Sequence, residues 1–410
     1  MSYSYDRCFT FYESKIPSLV VNCNVAFESF ARSTIGKLSF GPNVTYIEEQ
    51  GFCYSSITGT VDLSNITYIG ANAFYDCSAV EKFIFGNNPT TVKEQSFYNC
   101  ANAEFEFNGY VNLDMDSAYA FAGCKKLKNL PPFRPQTEIT DGIFEDCISI
   151  EELNLTNVYA FARAFGGCTN VSSIVGLDTP IMEFDEELGV IYMNNEFDER
   201  CYLVVGFEKL IPENLEIPSK VDVIAGKSFA GCTNLKNIYI YDDEFKVRNI
   251  QAGAFENCVN LESFSLGYCE IGKSSFKGCS SLKEIQINSQ EIGAYAFADC
   301  TALEKITFTA YTNILILGPS IGGYIFSGCT AIKEIHDYMF WKGSGTCSKY
   351  FWTDCGKPEH YYAYYCDSSS SKYNFSYKQR DIKDYGTADA FPDIIEYKAL
   401  TPEEWSSLTW

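Results

Sequence analysis

Phenylalanine followed three residues later by cysteine recurs down this chain, and other apolar positions recur with it at fixed offsets. The pairs are Phe74/Cys77, Phe97/Cys100, Phe121/Cys124, Phe144/Cys147 and Phe165/Cys168, then Phe229/Cys232, Phe255/Cys258, Phe276/Cys279, Phe297/Cys300 and Phe326/Cys329. Five residues before the Phe stands Ile69, Val92, Ile139, Ile224, Ile250, Ile271, Ile292 or Ile321. After the Cys, positions +3, +6 and +8 are apolar in most repeats, as in Leu282/Ile285/Ile287 and Leu303/Ile306/Phe308. The +6/+8 pair has the period of a strand, and a Phe and Cys three apart share one face of a helical turn. Each repeat therefore predicts a short turn followed by a short strand.

Successive cysteines lie 23, 24, 23 and 21 residues apart, then 64, then 26, 21, 21 and 29. Apart from the long gap, this is the period range of leucine-rich repeats. One such repeat cannot stay folded alone. Five or six inward side chains at about 2 kcal/mol each give on the order of 10 kcal/mol, against roughly 1–2 kcal/mol of backbone entropy for each of its residues. Stacking closes the apolar edge and adds ladder hydrogen bonds, so stability grows as a nearest-neighbour sum.

The segments Ile69-Gly-Ala-Asn-Ala-Phe74 and Ile292-Gly-Ala-Tyr-Ala-Phe297-Ala-Asp-Cys300-Thr-Ala-Leu303-Glu-Lys-Ile306 resemble the BspA-type leucine-rich repeat. The resemblance spans roughly residues 25–340. It implies a mostly β repeat solenoid, an array of short parallel strands and short helical turns. Some repeats depart from the pattern. The one at Cys100 carries Ala103, Glu106 and Asn108 at the apolar positions, the one at Phe121 lacks its upstream Ile, and degenerate copies occur at Phe30-x-x-Ser33 and Phe52-x-x-Ser55.

Five segments are expected: an N-terminal lead-in (1–24), a first array (25–176), a hairpin insertion (177–220), a second array (221–340) and an aromatic C-terminal cap or docking domain (341–410). The insertion holds two strand-like runs, 186–192 and 201–205, joined by the polar turn Asn194-Asn195-Glu196. All four tryptophans, Trp341, Trp352, Trp405 and Trp410, fall in the last segment beside the cluster Tyr361-Tyr362-Ala363-Tyr364-Tyr365. They either cover the end of the last repeat or form a docking surface for an assembly partner, a use to which Trp and Tyr are suited.

Composition narrows the chemistry. With 53 acidic against 31 basic side chains the net charge is −22, a field that repels phosphate backbones and anionic lipid, so nucleic acid is not an expected partner. The first residues form neither a basic start nor an apolar run of signal-peptide length, and no run of about 20 apolar residues occurs, so a soluble chain without membrane insertion is expected. The compartment stays open; the family resemblance points to a cell surface, and a virion is the other setting considered.

The repeat frame absorbs most apparent motifs. Gly267-x-x-x-x-Gly272-Lys273-Ser274 fits a phosphate-binding loop, but Ile271-Gly272 occupies the frame of Ile69-Gly70 and Phe276 follows too soon for the required helix. Two histidines, His336 and His360, leave almost no choice of catalytic base, and no enzyme is predicted. Cys347, Cys355, His360 and Cys366 are spaced 8, 5 and 6 apart, unlike structural zinc sites, so no metal or cofactor is expected. Stacked cysteines lie within disulfide reach, yet a small buried thiol filling one slot suffices, and reduced thiols are expected. The sequons at Asn43, Asn65, Asn154, Asn170 and Asn374 are read as chance matches.

Strand alternation leaves positions +4, +5 and +7 after each Cys on the outer face. In the second array the +7 column reads Tyr239, Ser265, Gln286, Thr307 and His336, flanked by alternating Glu and Lys. The flanks most simply form a solvated, salt-bridged face, and the +7 column is the candidate recognition stripe. The resemblance implies a non-enzymatic recognition or adhesion protein binding a protein or surface glycan. The alternative is a structural or receptor-binding component of a phage or virus particle or other large assembly.

Overall fold

The computed structural model describes residues 11–139, 141–161, 163–195, 200–240, 247–264, 269–289, 291–309, 323–337, 354–366 and 395–400. The chain forms two compact units, residues 1–196 with 204–210, and residues 197–203 with 211–410.

In the first unit each repeat is one coil carrying two short strands, to which the first coils add a third, Lys15–Ile16, Thr34–Ile35 and Ser56–Ile57, paired in parallel. Those ending on the Ile of the repeat, Tyr46–Ile47, Tyr68–Ile69, Thr90–Val92 and Val111–Asn112, pair in parallel as one sheet. Those after the Cys, Gly59–Leu63, Val80–Phe85 and Glu104–Phe107, pair in parallel as another. The second unit repeats the arrangement. Val223–Ile224, Asn249–Ile250 and Glu270–Ile271 form one ladder. Asn214–Ile217, Asn237–Ile240 and Ser263–Phe264 belong to the other, with Glu284–Ile287, Lys305–Phe308 and Glu334–Asp337 in a further sheet. Coils that each bury too little for themselves thus share one core.

The Phe-x-x-Cys segment is not a helical turn. Ala73 N–H donates to Gly70 O, Tyr75 to Asn72 and Cys77 to Phe74, so the stretch is a run of β-turns. The amides between them, of Asn72, Phe74 and Asp76, donate instead to Glu94, Ser96 and Tyr98 of the next coil. This backbone needs a left-handed residue twice per coil: Asn72 and Asp76 both have φ 55°, and Gln95 and Asn99 have φ 52° and 57°. Asn, Asp and Gly tolerate that region best, which is why one of them so often precedes the Cys. Among the described residues the one helical element is the 3-10 turn Met115–Ser117, sited where the repeat lacks its Ile.

Two side-chain columns fill the core. Phe11, Phe30, Phe52, Phe74, Phe97, Phe121, Phe144 and Phe165 stack in order with centroids 5.2–5.7 Å apart and planes within 11°. Phe229, Phe255, Phe276, Phe297 and Phe326 stack likewise at 5.1–5.6 Å with planes within 14°. Among the described residues the stack runs from Phe11, whose Phe11-x-x-Ser14 makes the same turn and extends the array into the expected lead-in.

The cysteine column is a hydrogen-bonding column. Cys77 Sγ donates to Phe52 O at 3.0 Å, and Cys100, Cys124, Cys147, Cys168, Cys258, Cys279, Cys300 and Cys329 each donate to the Phe carbonyl of the preceding coil at 3.0–3.2 Å. In the degenerate copies serine takes over: Ser33 Oγ donates to Phe11 O and Ser55 Oγ to Phe30 O, both at 2.6 Å. Burial pushes the Cys279 thiol up to about 12 and those of Cys77, Cys124 and Cys147 well above the usual range, which keeps the donor proton in place.

The glycine after the Ile is set by close approach. A Cβ on Gly272 would stand 2.7 Å from Ala252 N of the preceding coil, and one on Gly293 2.3 Å from Lys273 N. Packing between coils therefore explains the glycine that completes the apparent phosphate loop.

Three details differ from the sequence reading. The coil of Cys100 has one residue fewer before its strand, so Phe105 and Phe107 stand opposite Phe83 and Phe85, pack on the Phe column and take the inward places, while Glu106 reaches Lys82 at 2.7 Å. The insertion gains a strand ahead of the expected pair: Met182–Asp185 pairs antiparallel with Val190–Asn195 around a turn in which Asp185 Oδ1 accepts from Glu187 and Leu188 N–H and Gly189 has φ 65°. The run at 201–205, within Arg200–Gly206, neighbours Val190–Asn195 in the same sheet as the sequence reading expects, and on its other side Tyr202–Leu203 pairs in parallel with Val223–Ile224. The tyrosine cluster is also a strand. His360–Cys366 pairs in parallel with Glu334–Asp337, and Ile395–Leu400 with His360–Cys366, so the sheet runs on past residue 341.

Candidate functional site

The outer face of the second unit is built by strand alternation: Ile285, Ile306 and Ile335 point into the core and the residues between them point out. Gln286, Thr307 and His336 stand opposite one another in register, which brings these three sequence-predicted positions into one row. The row continues to Tyr362, one place further than the sequence reading carried it. Tyr239 occupies the same position on its own strand, 47% exposed, opposite Glu216. Gln286 is exposed, and Thr307 and His336 are half-buried. Ser265, Trp341, Trp352, Trp405 and Trp410 lie outside the described residues.

Tyr362 was legible in principle. Trp352-x-x-Cys355 is the repeat with Trp in the Phe place, and Asp354 before the Cys has φ 58° like its counterparts. Counting seven from Cys355 gives Tyr362. The same frame takes Cys355 away from the group of Cys and His considered for zinc. Among the described residues no three His, Cys, Asp or Glu side chains are placed to hold a metal ion.

The flank of the row is a column of strictly alternating charge. Backbone hydrogen bonds run from Lys236 to Glu213 and Glu262 to Lys236, then from Glu304 to Lys283, Lys333 to Glu304 and Glu359 to Lys333. Side chains follow the backbone: Lys236 Nζ lies 2.8 Å from Glu213 Oε2 and Lys333 Nζ 2.9 Å from Glu304 Oε1. Both lysines are held above their usual value by these hydrogen bonds. Between flank and row, Asn237 Nδ2 donates to Asn214 Oδ1 and Ser263 Oγ to Asn237 Oδ1, each at 2.6 Å.

One register position before Glu396, both histidines of the chain meet Tyr362. The His336 ring is 5.0 Å from that of Tyr362, and the His360 ring stacks on the same tyrosine at 5.6 Å. His336 Nε2 lies 3.2 Å from Glu334 Oε2, and that hydrogen bond holds the Glu334 carboxyl below its usual range. The arrangement offers amide, hydroxyl, imidazole and phenol groups at strand spacing, a set suited to hydrogen bonding and stacking.

Among the described residues no helix is long and apolar enough to cross a membrane. No curated protein is significantly similar to the chain in sequence. Among solved structures, a leucine rich cell surface protein from Faecalibacterium prausnitzii A2-165 is 22% identical, with 81% of this chain and 90% of that one covered at a TM-score of 0.53. A leucine-rich repeat protein from Eubacterium ventriosum is 19% identical over 74% of each chain at 0.45. The pneumococcal vaccine antigen PcpA is 17% identical over 94% of this chain and 79% of its own at 0.45. The family model for the BspA type leucine rich repeat region (6 copies) matches residues 1–115, 112–178 and 206–333. With most of its length matched to that repeat, and with the Ile-Gly, Phe and Cys positions each given a structural role by the coil, the chain belongs to the BspA-type leucine-rich-repeat family.

Proposed function

We propose that this protein is a non-enzymatic recognition or adhesion protein that binds a protein or surface-glycan partner on the outer strand face of its second unit, along Tyr239, Ser265, Gln286, Thr307 and His336, with Tyr362 continuing the row. The observation that carries this is the division of labour across the face. The Glu/Lys column alternates in sign and closes the ion pairs Lys236–Glu213 and Lys333–Glu304 within itself, and exposed pairs of this kind add little to stability. In the adjoining row the described positions Tyr239, Gln286, Thr307, His336 and Tyr362 are uncharged but for the histidine, the last four stand in register, and Glu216 and Glu396 are the next register positions at the two ends. Exposed strand surfaces of repeat arrays commonly serve extended partners. The cell-surface relative of the same fold agrees with an adhesive role, and no specific observation favours a particle component.

The test is direct. The full chain is screened on a glycan array and on an array of extracellular proteins, and the ligand found is titrated against the variant Tyr239→Ala/Gln286→Ala/Thr307→Ala. A loss of tenfold or more in affinity, with an unchanged circular-dichroism spectrum, is the expected outcome. Unchanged affinity excludes this face.

A further inference from the structure

Within the first unit the Ile-side ladder is interrupted. Val111–Asn112 pairs with Thr90–Val92, and Thr137–Ile139 pairs with Val158–Phe161, but the two pairs are not joined to each other. Between earlier coils this position is closed by Thr91 N–H to Thr67 O at 2.9 Å and Lys93 N–H to Ile69 O at 3.0 Å. By register the carbonyls of Val111 and Leu113 are the counterparts of Thr67 and Ile69, and the Glu138 amide is the counterpart of Thr91. Among the described residues, which leave out the counterpart of Lys93 at 140, no hydrogen bond reaches these two carbonyls or the Glu138 amide, and the bond that crosses the gap is Val111 N–H to Pro132 O at 3.3 Å.

Beyond that bond two local departures from the repeat leave the stretch unpaired. On one side Asp114 caps the 3-10 turn, accepting from Asp116 N–H while Ser117 Oγ accepts from Asp114 N–H. On the other the chain runs through Pro131, Pro132 and Pro135, and proline supplies no ladder donor. The result is a cleft of about 350 Å³ lined by Val111 to Met115 on one wall and by Arg134, Gln136, Thr137 and Glu138 on the other. Two observations mark it as unfinished. Asn112 Oδ1 is buried without a hydrogen-bond partner although its Nδ2 reaches Thr91 Oγ1. At the rim Met115 is 87% exposed.

We infer that this cleft takes an extended peptide segment by strand addition. The open acceptors, Val111 O and Leu113 O, are two residues apart on one strand, which is the spacing of amides that point the same way along an extended chain. The facing Glu138 N–H supplies the complementary donor. Main-chain pairing of this kind gives affinity, and side-chain pockets between the paired positions give selectivity. Asn112 Oδ1 accepts one further donor from the segment, and Met115, polarizable and adaptable, covers an apolar side chain. A sugar ring offers hydroxyls in all directions and does not match a two-residue repeat of carbonyls. The cleft's volume is at the low end for ligand sites, enough for a short segment and not for a folded partner. The site lies in the first unit and is independent of the outer-face reading of the second.

The experiment selects heptapeptides from a randomised phage library on the full chain, then resynthesises the best binder with single N-methyl groups. The expected result has three components. N-methylation at two positions spaced i and i+2 costs tenfold or more in affinity while the positions between tolerate it. The binder slows hydrogen exchange at the Glu138 amide. The variant Asn112→Leu weakens binding about fivefold, and Gln286→Ala in the second unit leaves it unchanged. Binders that are indifferent to N-methylation, that leave Glu138 exchange untouched, or that are displaced from this cleft by a neutral oligosaccharide would overturn the inference, as would the absence of any selected peptide on a chain with native hydrogen exchange.

Discussion

Replacing Cys100 by alanine and by serine separates the two jobs assigned to the cysteine slot. Cys100 is fully buried and its Sγ donates to Phe74 O at 3.1 Å, while that carbonyl also accepts the Cys77 amide at 3.2 Å. Alanine removes the thiol. The lost transfer free energy is about 1 kcal/mol. The vacated space, roughly 25 Å³ at about 24 cal/mol per Å³, adds about 0.6 kcal/mol. A weak S–H donor contributes at the low end of the range for a buried hydrogen bond, about 0.5 kcal/mol. The carbonyl keeps its amide partner, so no full desolvation penalty is added, and the total is about 2 kcal/mol. Serine gives up apolar bulk but keeps the donor, as Ser33 and Ser55 do in the same slot, so its cost is about 1 kcal/mol. Because an array can open locally, the assay is native-state hydrogen exchange at the amides of Phe74, Asp76 and Phe97, supported by the urea midpoint. The expected order is wild type, serine, alanine. An alanine variant as protected as wild type, or a serine variant less protected than alanine, refutes the donor role and leaves the slot as a matter of volume.

Much of this fold was written in the spacing of Ile, Phe and Cys, because each must return to the same core column at every coil. What was missed has physical causes. A separation of three suits both a helical turn and a run of β-turns; the deciding signal is Asp76, Asn99, Gly123, Asp146 and Gly167 ahead of the cysteines, residues that accept the positive φ seen there. Counting forward from Cys100 fails because one residue is absent and the strand re-enters register at Phe105, which periodicity from a fixed marker cannot detect. The strand His360–Cys366 was obscured by Trp352 in place of Phe. The outer row was legible because alternation fixes which side chains face out. The cleft was not, since it exists only because Val111–Asn112 and Thr137–Ile139 do not pair, and the sequence shows merely a missing Ile before Phe121.

Three further predictions address the coil contacts, the register and the thiols. Gly293→Ala, whose Cβ would meet Lys273 N at 2.3 Å, must push adjacent coils away from each other and lose ladder bonds, costing about 3 kcal/mol at about 1 kcal/mol per bond plus strain. Gly59→Ala, at φ 80° with nothing within 4 Å, costs only the left-handed penalty of about 1–2 kcal/mol; equal urea midpoints for the two would refute the close-approach argument. Phe105→Ala should cost about 3 kcal/mol and Glu106→Ala should leave the midpoint within error, and the reverse order would refute the one-residue shift. Finally, thiols whose folded value is raised stay protonated in the native coil while the unfolded chain ionises near the usual value of 9.0. The unfolded state therefore binds fewer protons as the pH climbs, so the stabilisation is fully present below about pH 9 and is lost progressively towards the folded value of about 12 at Cys279 and Cys269. Urea midpoints should be flat from pH 7 to 8.5 and fall from pH 9 to 10.5, and substituting serine at both positions should make that fall shallower. A fall of the same steepness in the serine variant would mean that tyrosines such as Tyr46, raised to about 12 by burial, and not the cysteine column, govern alkaline unfolding.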